Sequence, residues 1–255
     1  MLLAIDIGNT SIMFGVFKDR DLVENWNIRT ERDNTRDEYI IKLSSLFFHS
    51  HLEISEINAV IISSVVPPLI PVFQELSKSL LKVRAFVVGP GLKTGMPILY
   101  ENPLEVGADR VVASVAAFEK YGGPAIIVDF GTAATFDVVS SKGEYLGGAI
   151  APGIQIAAEA LYLKTAKLPR IEIKKPEKAV GKTTVESMQS GLYFGYLGLL
   201  ESVISEIKKE IGNNPTVICT GGFSSQIRKE MKSIDHYEPF LILEGLRIIY
   251  EKNRN

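Results

Sequence analysis

The chain has few of the residues that mark disulfide-stabilised, metal-rich or membrane-spanning proteins. Its 255 residues include one cysteine, Cys219, and three histidines, so an intrachain disulfide framework is excluded. No apolar stretch reaches the roughly 18 residues that a membrane helix needs, and the first residues lack the basic segment of a targeting peptide. We therefore expect a cytoplasmic protein with no membrane partner.

The chain also has no large excess of positive or negative charge. The formal net charge is −2, and the Lys and Arg residues form no dense block. Proteins that bind nucleic acid usually carry such a block, so we expect small-molecule ligands and no nucleic acid. The chain is 46% hydrophobic and 23% charged, which is typical of folded proteins. Its length exceeds the about 100 to 150 residues of a common domain, which favours two domains.

One pattern occurs twice along the chain. The opening "LLAIDIGNTSIMFGVFKDRDLVEN" resembles "AIIVDFGTAATFDVVSSKGEYLGG" in the second half. In both, an apolar strand ends in Asp-x-Gly and a second apolar strand follows. Asp6 aligns with Asp129 at an offset of 123 residues (129 − 6), and the same offset pairs Thr10 with Ala133. The pattern predicts a duplicated unit.

The elements that follow each copy repeat as well. Both "INAVIISSVVPP" and "NPTVICTGGFSS" predict a buried strand, a loop of small residues and a helix. The breakers Tyr121-Gly122-Gly123-Pro124 mark a boundary, so we expect an N-terminal domain at 1–121 and a C-terminal domain at 122–255. Apolar spacing predicts α/β structure with helices that include Arg36–Phe48, Pro68–Leu81, Val106–Lys120, Thr184–Ile211 and Ser224–Lys232.

The repeated aspartates have two interpretations. Asp-Gly pairs usually mark ordinary hairpin turns. Here each aspartate precedes its glycine by two residues and has apolar neighbours, and a buried carboxylate requires a cation or hydrogen-bond donors. Gly8, Asn9 and Thr10 leave backbone amides open to phosphate groups, and Asp6 could hold Mg²⁺ through water. We therefore expect the two hairpins to face one cleft, with a nucleotide between the domains.

The segment "YENPLEVGADRVVASVAA" contains a further acid, Asp109. On its own, Gly-Ala-Asp-Arg is explained by a helix cap at Asp109 and a solvated Arg110. The other interpretation is a functional carboxylate. The helix N-terminus and the neighbouring cation should then keep it ionised.

Six motifs occur in the order and approximate spacing of type III pantothenate kinases. They are "DIGNT", "NPLEVGADR", "DFGTAATFD", "GGAIAPG", "TAKLP" and "GKTTVESMQSG", and they extend over nearly the whole chain. The two hairpins and "ICTGG" also resemble the wider superfamily of actin-like ATPases, Hsp70-type chaperones and sugar kinases. The resemblance implies two duplicated ribonuclease-H-like domains with mixed β-sheets flanked by helices. It also implies a homodimer that phosphorylates pantothenate to 4'-phosphopantothenate with ATP, the first step of coenzyme A synthesis.

The resemblance assigns roles to individual residues. Asp109 would be the general base, Asp6 would lie near Mg²⁺ and contact it through water, and Asp129 would bind a monovalent cation, K⁺ or NH₄⁺. The residues implied in ATP binding are Asp6, Ile7, Gly8, Asn9, Thr10, Ser11, Ile12, Met13 and Thr132. Those implied in pantothenate binding are Tyr100, Gly107, Ala108, Asp109, Arg110 and Thr184.

Two other functions are compatible with the duplicated pattern. One is a kinase for another small alcohol, since fold alone does not select the substrate. The other is a nucleotide-responsive regulator that transfers nothing to a small molecule. A regulator needs no base directed at an acceptor alcohol, whereas this chain offers Asp109. That residue favours the kinase.

Overall fold

The computed structural model describes residues 1–212 and 214–254, with every side chain in them except that of Ser225. The chain divides into two compact units, Met1–Glu119 with Phe240–Asn255, and Lys120–Pro239. None of the helices in this described part is long and apolar enough to cross a membrane.

Each unit contains one mixed five-stranded sheet. The strands of the first are β1 (Leu2–Ile7), β2 (Ser11–Lys18), β3 (Asp21–Arg29), β4 (Ala59–Ser64) and β5 (Phe86–Val87). Those of the second are β6 (Ala125–Phe130), β7 (Ala133–Val139), β8 (Tyr145–Pro152), β9 (Thr216–Thr220) and β10 (His236–Tyr237). The orders β3-β2-β1-β4-β5 and β8-β7-β6-β9-β10 are equivalent. In both, an antiparallel meander continues into parallel strands, which confirms the predicted fold class.

Helices flank both sheets. They are α1 (Arg36–His49), α2 (Leu69–Leu76, continued by a π-helical turn at Ser77–Leu81), α3 (Ala108–Tyr121), α4 (Ile154–Lys164), α5 (Thr184–Ile211), α6 (Ser224–Ile227) and α7 (Leu241–Asn253). Thr35 and Thr183 begin α1 and α5 with capping boxes, in which the threonine hydroxyl and a glutamate three residues later satisfy free backbone amides.

The C-terminal helix belongs to the first unit. Leu3, Ile5 and Ile7 of β1 pack into one core with α1 and α2, and α7 packs against the same sheet. A Cβ at Gly15 would lie 2.8 Å from Leu243, so the helix lies directly on β2. The compact units therefore differ from the expected ranges 1–121 and 122–255 in this last segment, and the first break between them follows Glu119 instead of Tyr121.

The turn of the second hairpin is one residue shorter than the turn of the first. The burial patterns of β1 and β6 are identical, as are those of β2 and β7 up to Val139. The Gly8 amide bonds to the Ser11 carbonyl, whereas the Gly131 amide bonds to the Ala133 carbonyl. After the turn the offset is therefore 122 residues (133 − 11), and the expected pairing of Thr10 with Ala133 is wrong. Ser11 is the equivalent of Ala133.

Most predicted helices are confirmed, and α5 begins and ends where expected. The predicted helix Ser224–Lys232 is wrong beyond Ile227, where α6 ends. The backbone amides of Lys232 and Ser233 donate to the Glu201 carboxylate of α5 instead of continuing a helix.

Candidate active site

The first Asp-x-Gly hairpin is held by the end of β3. Asp6 lies partly buried one residue before the end of β1. The Gly8 amide donates to the Ser11 carbonyl at 3.0 Å. The Thr30 hydroxyl donates to the Gly8 carbonyl at 2.7 Å, and the Thr30 amide to the Thr10 carbonyl at 3.0 Å. The first bond closes the turn, and the two Thr30 bonds fix it from outside the hairpin.

Arg32 adds a positive charge to this turn. Its Nη2 donates to Asn9 Oδ1 at 2.7 Å, and both side chains are exposed. Sequence analysis did not single out Arg32 or Thr30, because both act through contacts between segments distant in sequence. The only signal was their position directly after the third strand of the repeated pattern.

The predicted ATP-binding segment has two kinds of side chain. Ile7 and Ile12 are fully buried in the core, so only their backbone groups could reach a ligand. Ser11 and Met13 lie on the other face of β2 and are partly exposed. Alternation along the strand explains the difference.

The second hairpin places Asp129 against closely packed backbone. Gly221 has φ +90°, and a Cβ there would overlap Asp129 Oδ1 and the backbone of Phe130. Burial and then the charge of Asp129 raise the pKa of Tyr196, in α5, to about 12. Thr132 is exposed in the turn, and its carbonyl accepts from the Gly153 amide at 3.2 Å.

Asp109 lies in the first turn of α3. Its Oδ1 accepts from the Arg110 amide at 2.8 Å. A Cβ at Gly107 would lie 2.5 Å from that oxygen, so glycine leaves the space that the carboxylate occupies. Burial raises the pKa of Asp109, and it outweighs the lowering effects of the Arg110 amide and the Arg110 charge. Arg110 thus acts in the expected direction, but desolvation is the larger effect.

The Gly107 loop lies beside the edge of the first sheet. A Cβ at Gly107 would be 3.7 Å from Val65 Cγ1, and the Val65 amide donates to the Ile7 carbonyl at 3.0 Å. This edge is formed by the carboxyl ends of the parallel strands β1 and β4, where α/β proteins commonly bind ligands. The structure therefore brings Asp109 to the same edge as the first hairpin.

The remaining predicted substrate residues lie at or shortly before the starts of helical segments. Tyr100 is exposed in the loop before a 3₁₀ turn at Pro103–Glu105. Ala108 and Arg110 are in the first turn of α3. Thr184 is the exposed first residue of α5, next to the capping residue Thr183.

The carboxylate of the first hairpin, Asp6, suits a hydrated divalent ion. Within residues 1–212 and 214–254, no three His, Cys, Asp or Glu side chains form a cluster that could hold a metal. Mg²⁺ in kinase sites usually takes one or two protein carboxylates and keeps several waters. Asp6, a partly exposed carboxylate next to a glycine turn, matches that requirement.

The duplicated sheets define the class as the actin-like ATPase and sugar-kinase fold. A conserved protein of Campylobacter jejuni, provisionally assigned as a Baf family transcriptional activator, matches with TM-score 0.62 and 18% identity over 99% of each chain. A protein of Porphyromonas gingivalis, provisionally assigned as an N-acetylglucosamine kinase, matches with TM-score 0.53 and 14% identity over 100% of each chain. At these identities the matches show the fold alone.

Sequence comparison narrows the class to one family. The family model described as type III pantothenate kinase matches residues 2–206. A type III pantothenate kinase of Geobacter sulfurreducens is 52% identical over 254 residues, which cover 100% of both chains. The chain therefore belongs to the type III pantothenate kinase family and is a kinase.

Proposed function

We propose that this protein transfers the γ-phosphoryl group of ATP to pantothenate, forming 4'-phosphopantothenate for coenzyme A synthesis. The observation that carries the proposal is the family match, in which the family model covers residues 2–206 and the Geobacter sulfurreducens relative covers the whole chain. The position of Asp109 supports it, since a partly buried carboxylate at a ligand-binding edge suits an enzyme that needs a proton acceptor.

Asp109 is the general base in this proposal. Phosphoryl transfer requires alignment of the acceptor, stabilisation of the phosphate charge and removal of the alcohol's proton. Asp109 accepts the proton of the primary hydroxyl of pantothenate as that oxygen bonds to the γ-phosphorus of ATP, while the bond from this phosphorus to the β–γ bridging oxygen breaks and ADP leaves. Its raised pKa makes it a stronger proton acceptor than an exposed aspartate.

The first hairpin binds the phosphates of ATP. The amides that follow Gly8 in the turn can donate to phosphate oxygens, and Arg32 supplies a positive charge. Asp6 holds Mg²⁺ through water, and the ion when bound reduces the repulsion between the phosphates. Thr132 of the second hairpin also contacts ATP.

Asp129 binds the monovalent cation, K⁺ or NH₄⁺. Its position against Gly221 supports this role, because backbone close to the carboxylate limits its movement. The loss of one charge at Asp129 should therefore change the monovalent-ion requirement more than the Mg²⁺ requirement.

Pantothenate is bound by Tyr100, by the segment from Gly107 to Arg110 and by Thr184. Arg110 provides a positive charge for the carboxylate of the substrate. Gly107 and Ala108 are small, which leaves room for the substrate next to the base.

The protein forms a homodimer through the second unit. Helix α4 is rich in apolar residues, yet only Ile154 is buried in it. Ile150 of β8 and Leu163 of α4 are 65% and 62% exposed. Further exposed apolar side chains of the same unit are Ile156, Tyr162, Val185 and Phe194. Such a concentration is typical of an interaction surface.

The experiment is an assay with purified protein, ATP, Mg²⁺ and pantothenate, with K⁺, NH₄⁺ or Na⁺ as the single monovalent ion. Mass spectrometry should identify phosphopantothenate with K⁺ or NH₄⁺, and Asp109→Asn is the control for catalysis. Absence of the product under every condition would favour the regulator. A product formed only from another alcohol would indicate a different kinase, and a reaction supported only by Na⁺ would contradict the role of Asp129.

A further inference from the structure

Each repeated aspartate has a hydroxyl residue beside it on the neighbouring parallel strand. Asp6 of β1 is in register with Ser63 of β4. Asp129 of β6 is in register with Thr220 of β9. In-register residues of adjacent strands point to the same face, and the strands are about 4.8 Å apart. The duplication has therefore placed a hydroxyl next to a carboxylate in both units.

Ser63 has no structural role that accounts for its hydroxyl. The residue is 0% exposed, and its Oγ has no hydrogen-bond partner among the described residues. A buried hydroxyl without a partner is unfavourable. The next residue, Ser64, differs, because its Oγ accepts from the Val66 amide at 3.0 Å and donates to the Val66 carbonyl at 3.2 Å.

Thr220 occupies the equivalent position before the Gly221 turn. It is 2% exposed. Gly221 lies against Asp129, so Thr220 is close to this carboxylate both through the strand register and through the chain. Valine would serve equally well in a buried strand if only packing mattered.

We propose that Ser63 and Thr220 are positioning residues that orient Asp6 and Asp129 toward their cations. In the loaded site, each hydroxyl donates to one carboxylate oxygen, and the other oxygen remains directed at the cation or its water. Hydrogen bonds of this kind commonly orient carboxylates at metal sites. The inference rests on the proposed function, which assigns Mg²⁺ to Asp6 and the monovalent ion to Asp129.

Two substitutions test the pairing separately. Ser63→Ala should raise the Mg²⁺ concentration for half-maximal activity about tenfold or more and leave the K⁺ requirement unchanged. Thr220→Val should raise the K⁺ requirement by a similar factor and leave the Mg²⁺ requirement unchanged. Thr220→Ser, which keeps the hydroxyl, should restore the wild-type K⁺ requirement.

Ser114→Ala is the matched control. Ser114 of α3 is also 0% exposed and its Oγ has no partner among the described residues. Neither serine variant should lower the unfolding midpoint of the protein without nucleotide or cations, because each removes an unpaired buried hydroxyl. Only the Ser63 variant should change the Mg²⁺ requirement.

Calorimetric titration of Mg²⁺ with ADP provides a readout other than activity. Affinity reduced in Ser63→Ala but not in Ser114→Ala supports the proposal. Unchanged cation requirements in both Ser63→Ala and Thr220→Val would overturn it, as would equal shifts for both cations in each variant. If Ser63→Ala does not fold, the comparison of the K⁺ requirements of Thr220→Val and Thr220→Ser tests the proposal. A wild-type protein that makes no phosphopantothenate would refute the proposed function, and the titration would still test the pairing.

Discussion

Replacing Gly107 with alanine should move the Asp109 carboxylate while leaving the fold intact. The new Cβ would lie 2.5 Å from Asp109 Oδ1, whereas ordinary contact begins near 3.4 Å, so the oxygen must move by about 0.9 Å (3.4 − 2.5). Misplacing a reacting group by about 1 Å costs about 100-fold in rate. We therefore expect kcat to fall about 100-fold in Gly107→Ala.

The fold should tolerate this change, because the clash is with the end of a side chain. The assay is steady-state formation of phosphopantothenate, combined with thermal unfolding of each variant. Gly89→Ala is the control, since a Cβ at that position in the same unit meets nothing within 4 Å. A folded Gly107→Ala enzyme with kcat close to wild type would refute the role of this glycine.

Three further predictions concern the base, the first hairpin and the dimer. Burial raises the pKa of Asp109 above 3.8 in the folded state. The free energy of unfolding therefore falls as the pH rises from 3.8 through this raised pKa. Asp109→Asn should therefore be at least as stable as wild type in denaturant at pH 7, with kcat lowered at least about 100-fold. Arg32→Ala should raise the KM for ATP about tenfold, because it removes one charged contact. The control Arg36→Ala, which breaks a pair with Asp37, should leave this KM unchanged. In light scattering, Leu163→Glu should give a monomer, and Phe48→Glu, which is also at an exposed position, should leave the dimer intact.

The repeated architecture could be predicted because its signal is local and occurs twice. Strand, Asp-x-Gly and strand follow each other within a few residues, so Asp6 and Asp129 were recognisable as equivalents. The length of the second turn could not be predicted. The small residues from Thr132 onward are compatible with either offset, and hydrogen bonds at Gly131 decide it.

Features that depend on distant contacts were not predictable. Helix α7 joins the first unit because Leu243 packs on Gly15, more than 200 residues earlier in the chain. The pKa of Asp109 likewise depends on burial, whereas the sequence showed only the opposing effects of the helix N-terminus and Arg110. Ser63 became notable only when its register with Asp6 was known.

The most direct test of the central claim, that both repeated aspartates serve one phosphoryl transfer, is calorimetric binding of a non-hydrolysable ATP analogue with Mg²⁺ and K⁺. The analogue should bind more weakly to Asp6→Asn and to Asp129→Asn than to wild type. In the proposed function both substitutions affect the same ligand, so the combined variant should depart from additivity. Wild-type affinity in either single variant, or strictly additive losses in the combined one, would contradict that claim.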